Sequence, residues 1–153
     1  MERVDFRYPT AASQRAASTA MRHKLDAPAI RALEEMMCNC LGSVLIERAR
    51  QAESSGGRVY RELPFVRPLQ DPTGTAIEEG KIDLLFEEAG EWVLVDYKTD
   101  QVSDNVGEAE AFFRERYAGQ MKQYAAALEA LGLKTKAAYL LLARTGESIQ
   151  MLP

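Results

Sequence analysis

Residues 92–98, Trp92-Val93-Leu94-Val95-Asp96-Tyr97-Lys98, begin apolar and end in charge. The apolar run reads as a buried strand. Alternate residues of a strand share a face, so Asp96 and Lys98 project side by side from its end. Burying a carboxylate and an ammonium is costly unless something compensates. A strand-end ion pair is one reading of this pattern.

The preceding segment opens a second reading. Gly80-Lys81-Ile82-Asp83 enters another apolar run, Ile82 to Phe86, and Glu88-Ala89-Gly90 separates the two runs as a hairpin turn. Hairpin pairing brings Asp83 near Asp96. Two adjacent carboxylates repel, and one tends to take up a proton. A divalent cation removes the conflict, since Mg²⁺ takes one or two carboxylates and fills its octahedron with waters and phosphate oxygens. Lys98 then has a task, to orient an attacking water or to stabilise charge developing on phosphate.

Outward from this pair, Val59 to Phe65 alternates as a further strand, Asp71-Pro72-Thr73-Gly74 turns, and Glu108 to Leu131 forms a long helix ending at Gly132. On that helix Phe113, Tyr117, Tyr124, Leu128 and Leu131 form one apolar stripe containing Gln120. Tyr117, Leu128 and Leu131 read as core. Gln120, with Tyr124 its neighbour on the same face, does not, because a buried amide needs partners, which the charged strands or a DNA phosphate would supply. Ala137 to Ala143 is a buried strand, and Ser148 to Leu152 pairs back on it. Upstream, Ile30 to Leu45 recurs at helical spacing behind an Asp26 cap and Pro28, with Gly42 a point at which the helix can divide. The order is helix, three strands, helix, two strands, which predicts an α/β domain with a central mixed sheet over residues 26–153. Residues 1–25 carry a net charge of +3 and few large apolar side chains, and read as a polar basic arm or a boundary.

Composition sets the frame. The 153 residues are 46% apolar and 27% charged, which excludes disorder as the main state. No apolar run approaches the roughly 20 residues of a membrane span, and no leader-like segment stands at the start, so the expected location is the cytoplasm. The net charge of −4 excludes gripping nucleic acid by bulk charge alone. Arg114, Arg116 and Lys122 on the long helix read either as a local phosphate-steering set or as a solvated face. Cys38 and Cys40 are too few and too close for a zinc or iron–sulfur site and read as small core residues. Met36 and Met37 likewise read as core.

Gly80-Lys81-Ile82-Asp83, Asp96-Tyr97-Lys98-Thr99-Asp100 and Gln120-Met121-Lys122-Gln123-Tyr124, preceded by Arg61-Glu62-Leu63-Pro64-Phe65, resemble in this order the RecB-type branch of the PD-(D/E)XK nucleases. The likeness is greatest to the nuclease domain that ends AddA-like, UvrD-type helicase–nuclease subunits, and it covers Asp26 to the end. It implies a restriction-endonuclease-like fold and Mg²⁺ or Mn²⁺ held by Asp83, Asp96 and the carbonyl of Tyr97. It implies Lys98 as the catalytic lysine, with Gln120 and Tyr124 supporting the site and contacting DNA. Glu62 would lie near the site in a supporting part. The function implied is metal-dependent exonucleolytic hydrolysis of DNA in a helicase–nuclease acting in double-strand break repair and recombination. Its partners would be DNA and a helicase domain or subunit. The alternative is a nuclease fold that binds DNA or partner subunits without chemistry. The family's histidine ligand stands in a Gly-Thr-x-x-His context on an early helix. The only histidine here, His23 in Ser18-Thr19-Ala20-Met21-Arg22-His23, lacks the glycine, is spaced one residue too far and lies too near the Asp26 helix. Either His23 is the ligand, or the chain is a fragment that begins after it.

Overall fold

The computed structural model describes residues 18–20, 22–68, 76–101 and 106–153. The turn expected at 71–74 and most of the expected basic arm lie outside these. Two helices, α1 (Ala27–Leu41) and α2 (Val44–Ser54), precede three antiparallel strands, β1 (Val59–Pro68), β2 (Ile77–Glu88) and β3 (Glu91–Lys98). The long helix α3 (Val106–Ala130) crosses over to β4 (Thr135–Leu142), which lies parallel to β3, and β5 (Ser148–Leu152) returns antiparallel. The five strands form one sheet, mixed as predicted, and they lie in it in chain order. Among the described residues no helix is long and apolar enough to cross a membrane.

Local chemistry accounts for the breaks. The Asp26 carboxylate accepts the Ala29 amide at 2.9 Å and caps α1. Gly42 ends it, and Ser43 restarts the chain as α2 by accepting from the Ile46 amide at 3.3 Å. Ala89 and Gly90, with φ of 52° and 82°, form the two-residue hairpin between β2 and β3. At the end of α3 the Leu133 amide reaches back to the Leu128 carbonyl at 3.0 Å, and Gly132 to Glu129 at 2.9 Å. These two bonds, with Gly132 at φ 73°, place Leu133 against Leu128 in the core and turn Leu131 outward. Leu131 is 65% exposed, so its expected place in the core stripe is corrected.

The sheet separates two cores. Leu84, Phe86, Val93, Val95 and Leu141 pack against α1 and α2 with Cys40 and Ile46. Leu85, Leu94, Leu140 and Ile149 pack on the other face against Phe113, Met121 and Leu128 of α3. Met36 and Met37 pack at the edge of the first core. Cys38 is exposed, which corrects its reading as a core residue; Cys40, two positions on, takes the inward direction. Burial pushes the Cys40 thiol up to about 11.

One irregularity positions the site. Residues two apart on a strand share a face, yet Ile82 packs with α3 while Leu84 packs with α1 and α2. Across the ladder, Val59 and Leu63 divide between the faces in the same way. The register Arg61↔Leu84 and Leu63↔Ile82 sets Glu62 opposite Asp83 at this switch, and Glu62 has φ 55°. The two strands therefore twist together at Glu62 and Asp83.

Candidate active site

The β2–β3 ladder closes at Leu84↔Val95, so Asp83 and Asp96 stand across from each other where pairing ends. Asp83 Oδ2 accepts the Tyr97 amide at 2.9 Å, taking the place a main-chain carbonyl would fill. Asp96 is buried at 3% exposure, with Oδ2 2.6 Å from Lys98 Nζ. That contact is an ion pair without hydrogen-bond alignment, so the buried Oδ2 lacks a directed donor. Lys98 Nζ donates to Gln120 Oε1 at 2.8 Å, and Gln120 Nε2 donates to the Tyr124 hydroxyl at 2.7 Å. The helical spacing of Gln120 and Tyr124 thus delivers both to the end of β3, as expected from their place on one face.

Gly80 has a packing reason. A Cβ there would lie 2.4 Å from the Phe65 ring, its cross-strand partner, and Phe65 meets Tyr124 edge-on with centroids 5.6 Å apart. The glycine lets the ring cross the strand and buttress Tyr124. Glu62 pairs with Lys81, and its Oε2 is buried without a hydrogen bond.

Electrostatics at this point oppose ionisation. Burial holds the Asp83 carboxyl above the usual carboxylate range; the Tyr97 amide opposes this, and Glu62 adds to it. Burial also raises Asp96, against the pull of Lys98, with Asp83 adding to the rise. Burial raises the Tyr124 phenol, against its bond from Gln120. Two carboxylates disfavoured as anions, one with an undirected buried oxygen, fit a divalent cation that takes its remaining ligands from water and phosphate. Among the described residues no set of three or more His, Cys, Asp or Glu side chains lies close enough to share a metal ion. His23 is exposed ahead of α1.

Two residues outside the expected set join the site. The Tyr117 ring lies under Lys98 Nζ, 3.9 Å from its centroid, rather than serving only as core. Its hydroxyl donates to the Asp100 carboxylate at 2.9 Å. The available signal was spacing: Tyr117 precedes Gln120 by three residues and Asp100 follows Lys98 by two. Of the three basic residues on α3, Arg116 reaches this cluster, with Nε 3.2 Å from the Tyr117 hydroxyl. Arg114 is engaged by Glu110 and the Gln150 carbonyl, and Lys122 is exposed.

The sequence matches the PD-(D/E)XK nuclease superfamily over residues 2–151. The chain belongs to that superfamily, and the mixed sheet with flanking helices is consistent with its restriction-endonuclease-like fold. It is similar to proteins named as subunits of an ATP-dependent helicase/nuclease. The one from Exiguobacterium sibiricum is 39% identical over 87 residues, covering 49% of this chain and 7% of the relative. That from Clostridium perfringens is 40% identical over 111 residues, covering 64% and 8%. That from Desulforudis audaxviator is 44% identical over 101 residues, covering 59% and 8%. The chain therefore spans less than a tenth of the length of these relatives.

Proposed function

We propose that the chain is the nuclease module of a cytoplasmic helicase–nuclease that degrades DNA exonucleolytically in break repair and recombination. The observation that carries this is the convergence of Asp83, Asp96, Lys98 and Gln120 where β2 and β3 part. Asp83, Asp96 and the Tyr97 carbonyl hold Mg²⁺ or Mn²⁺. When bound, the cation supplies Lewis-acid charge beside the scissile phosphate. Lys98, fixed by Asp96 and Gln120, orients the attacking water and stabilises charge on the phosphate oxygens. Tyr124 and Gln120 brace Lys98 and contact the DNA strand, and Glu62 keeps a supporting place beside Asp83. The acidic balance of the chain fits a module that receives its strand from a helicase domain or subunit.

Two measurements test the reading. Millimolar Mg²⁺ or Mn²⁺ raises the melting temperature of the wild type and leaves Asp83→Ala unmoved; saturation at 100 times Kd adds about 2.7 kcal/mol. Cleavage of linear DNA then disappears in Asp96→Ala and Lys98→Ala. Retained cleavage by Lys98→Ala sinks the role given to that lysine. A second reading, a module of the same fold that binds DNA or partner subunits without chemistry, is favoured by the poor match of His23 to the family's Gly-Thr-x-x-His context. It predicts no metal-dependent shift and no cleavage.

A further inference from the structure

Among the described residues, the ammonium of Lys98 meets two oxygens and one aromatic face. Asp96 Oδ2 lies at 2.6 Å, Gln120 Oε1 at 2.8 Å, and the face of Tyr117 at 3.9 Å from the ring centroid. The aromatic face attracts a cation through its quadrupole and offers no lone pair to compete for a proton. It therefore bounds one side of Lys98 without satisfying another N–H. The ring is itself fixed. Its hydroxyl donates to both oxygens of Asp100 at 2.9 Å, and Phe113 stacks on it at 6.0 Å and 24°. Asp100 follows Lys98 in the chain by two residues. Lys98, Asp100 and Tyr117 thus close a ring of contacts that ties the exit of β3 to α3.

Given the nuclease reading above, on which this rests, we propose that Tyr117, latched by Asp100, is a positioning residue for Lys98. The ring sets where the ammonium sits, and Asp100 sets where the ring sits.

The test uses the 153-residue chain and two readouts. The first is the NMR position of the Lys98 ε-methylene protons, which a ring face displaces upfield of the other lysines. The upfield position is expected in the wild type, reduced in Tyr117→Phe, which keeps the ring and loses its bond to Asp100, and absent in Tyr117→Leu. The second is steady-state cleavage of a linear duplex with Mg²⁺. Tyr117→Leu is expected to lower kcat roughly ten- to a hundredfold with KM for DNA unchanged, while Tyr117→Phe, with the ring but no bond to Asp100, falls between that variant and the wild type. The Mg²⁺-induced melting shift should persist in both variants, which separates positioning of Lys98 from loss of the metal pair. A Lys98 resonance that does not respond to Tyr117→Leu, or wild-type kcat in that variant, overturns the proposal. If the wild type itself does not cleave, the nuclease reading fails, and the NMR arm still decides whether Tyr117 positions Lys98.

Discussion

Asp83 serves two opposed demands. Burial and Glu62 favour its protonated acid, while the strand amide bonded to Oδ2 and the nearby Lys98 and Lys81 favour the anion. The balance falls on the acid side, so the folded state binds protons more readily than the unfolded chain. The stability from this pair is therefore present below the ordinary carboxylate range and is lost as pH rises through the raised native values. Asp83→Asn keeps an oxygen for the Tyr97 amide and removes the charge. In metal-free buffer it should melt above the wild type near pH 7, and the gap should close toward pH 4. Paired thermal melts across that range check it. Asp83, Asp96, Lys98, Gln120 and Tyr124 were legible in the sequence because strand alternation and four-residue helical spacing fix which side chains share a face. Tyr117 was not, since a tyrosine in an apolar stripe looks the same whether its ring meets leucines or a lysine.

Among the elements, β2 differs most from expectation. It begins at Ile77, ahead of the apolar run that starts at Ile82, because the Val66–Pro68 end of β1 continues the ladder. Sequence alternation showed the strands but not their joint twist at Glu62 and Asp83, which belongs to the pair rather than to either segment. Leu131 and Cys38 have the same kind of cause: a helix's exit and its fine rotation against the sheet are set by packing, not by period. The glycine of Gly80-Lys81-Ile82-Asp83 was legible as part of a motif, but its reason appears only with Phe65 across the strand. Gly80→Ala should cost about 1–3 kcal/mol through the clash with that ring. Chemical denaturation measures this loss, and Phe65→Leu in the same chain should restore much of it. If Gly80→Ala is neutral alone, the ring is not the constraint.

At the scale of the whole molecule, the order of elements and the mixed sheet could be read from where the hydrophobic period changes. How α1 and α2 anchor to the hairpin could not. Arg48 on α2 makes two 2.8 Å bonds to Glu88 beside the turn, and its guanidinium lies 5.5 Å from the Tyr139 ring. The Arg48 guanidinium, with Lys136 helping, holds the Glu88 carboxyl down at about 2. This contribution is complete above the ordinary glutamate range and is lost as pH falls from about 4.5 toward 2. Because both side chains touch solvent, it is worth roughly 1 kcal/mol. Glu88→Gln should lower the melting temperature by a few degrees at pH 7 and by much less at pH 3; an equal loss at both would assign the effect to packing.

The bond from the Tyr97 amide to Asp83 has a further consequence. Elsewhere along β2 and β3 the main chains hold each other, but here a side chain completes the strand. Whatever draws Asp83 aside also removes an acceptor from the backbone of β3, one residue from Asp96 and one from Lys98. The site is therefore a segment of the sheet's own seam rather than a fitting mounted upon it. Opening the seam and dismantling the site are a single event.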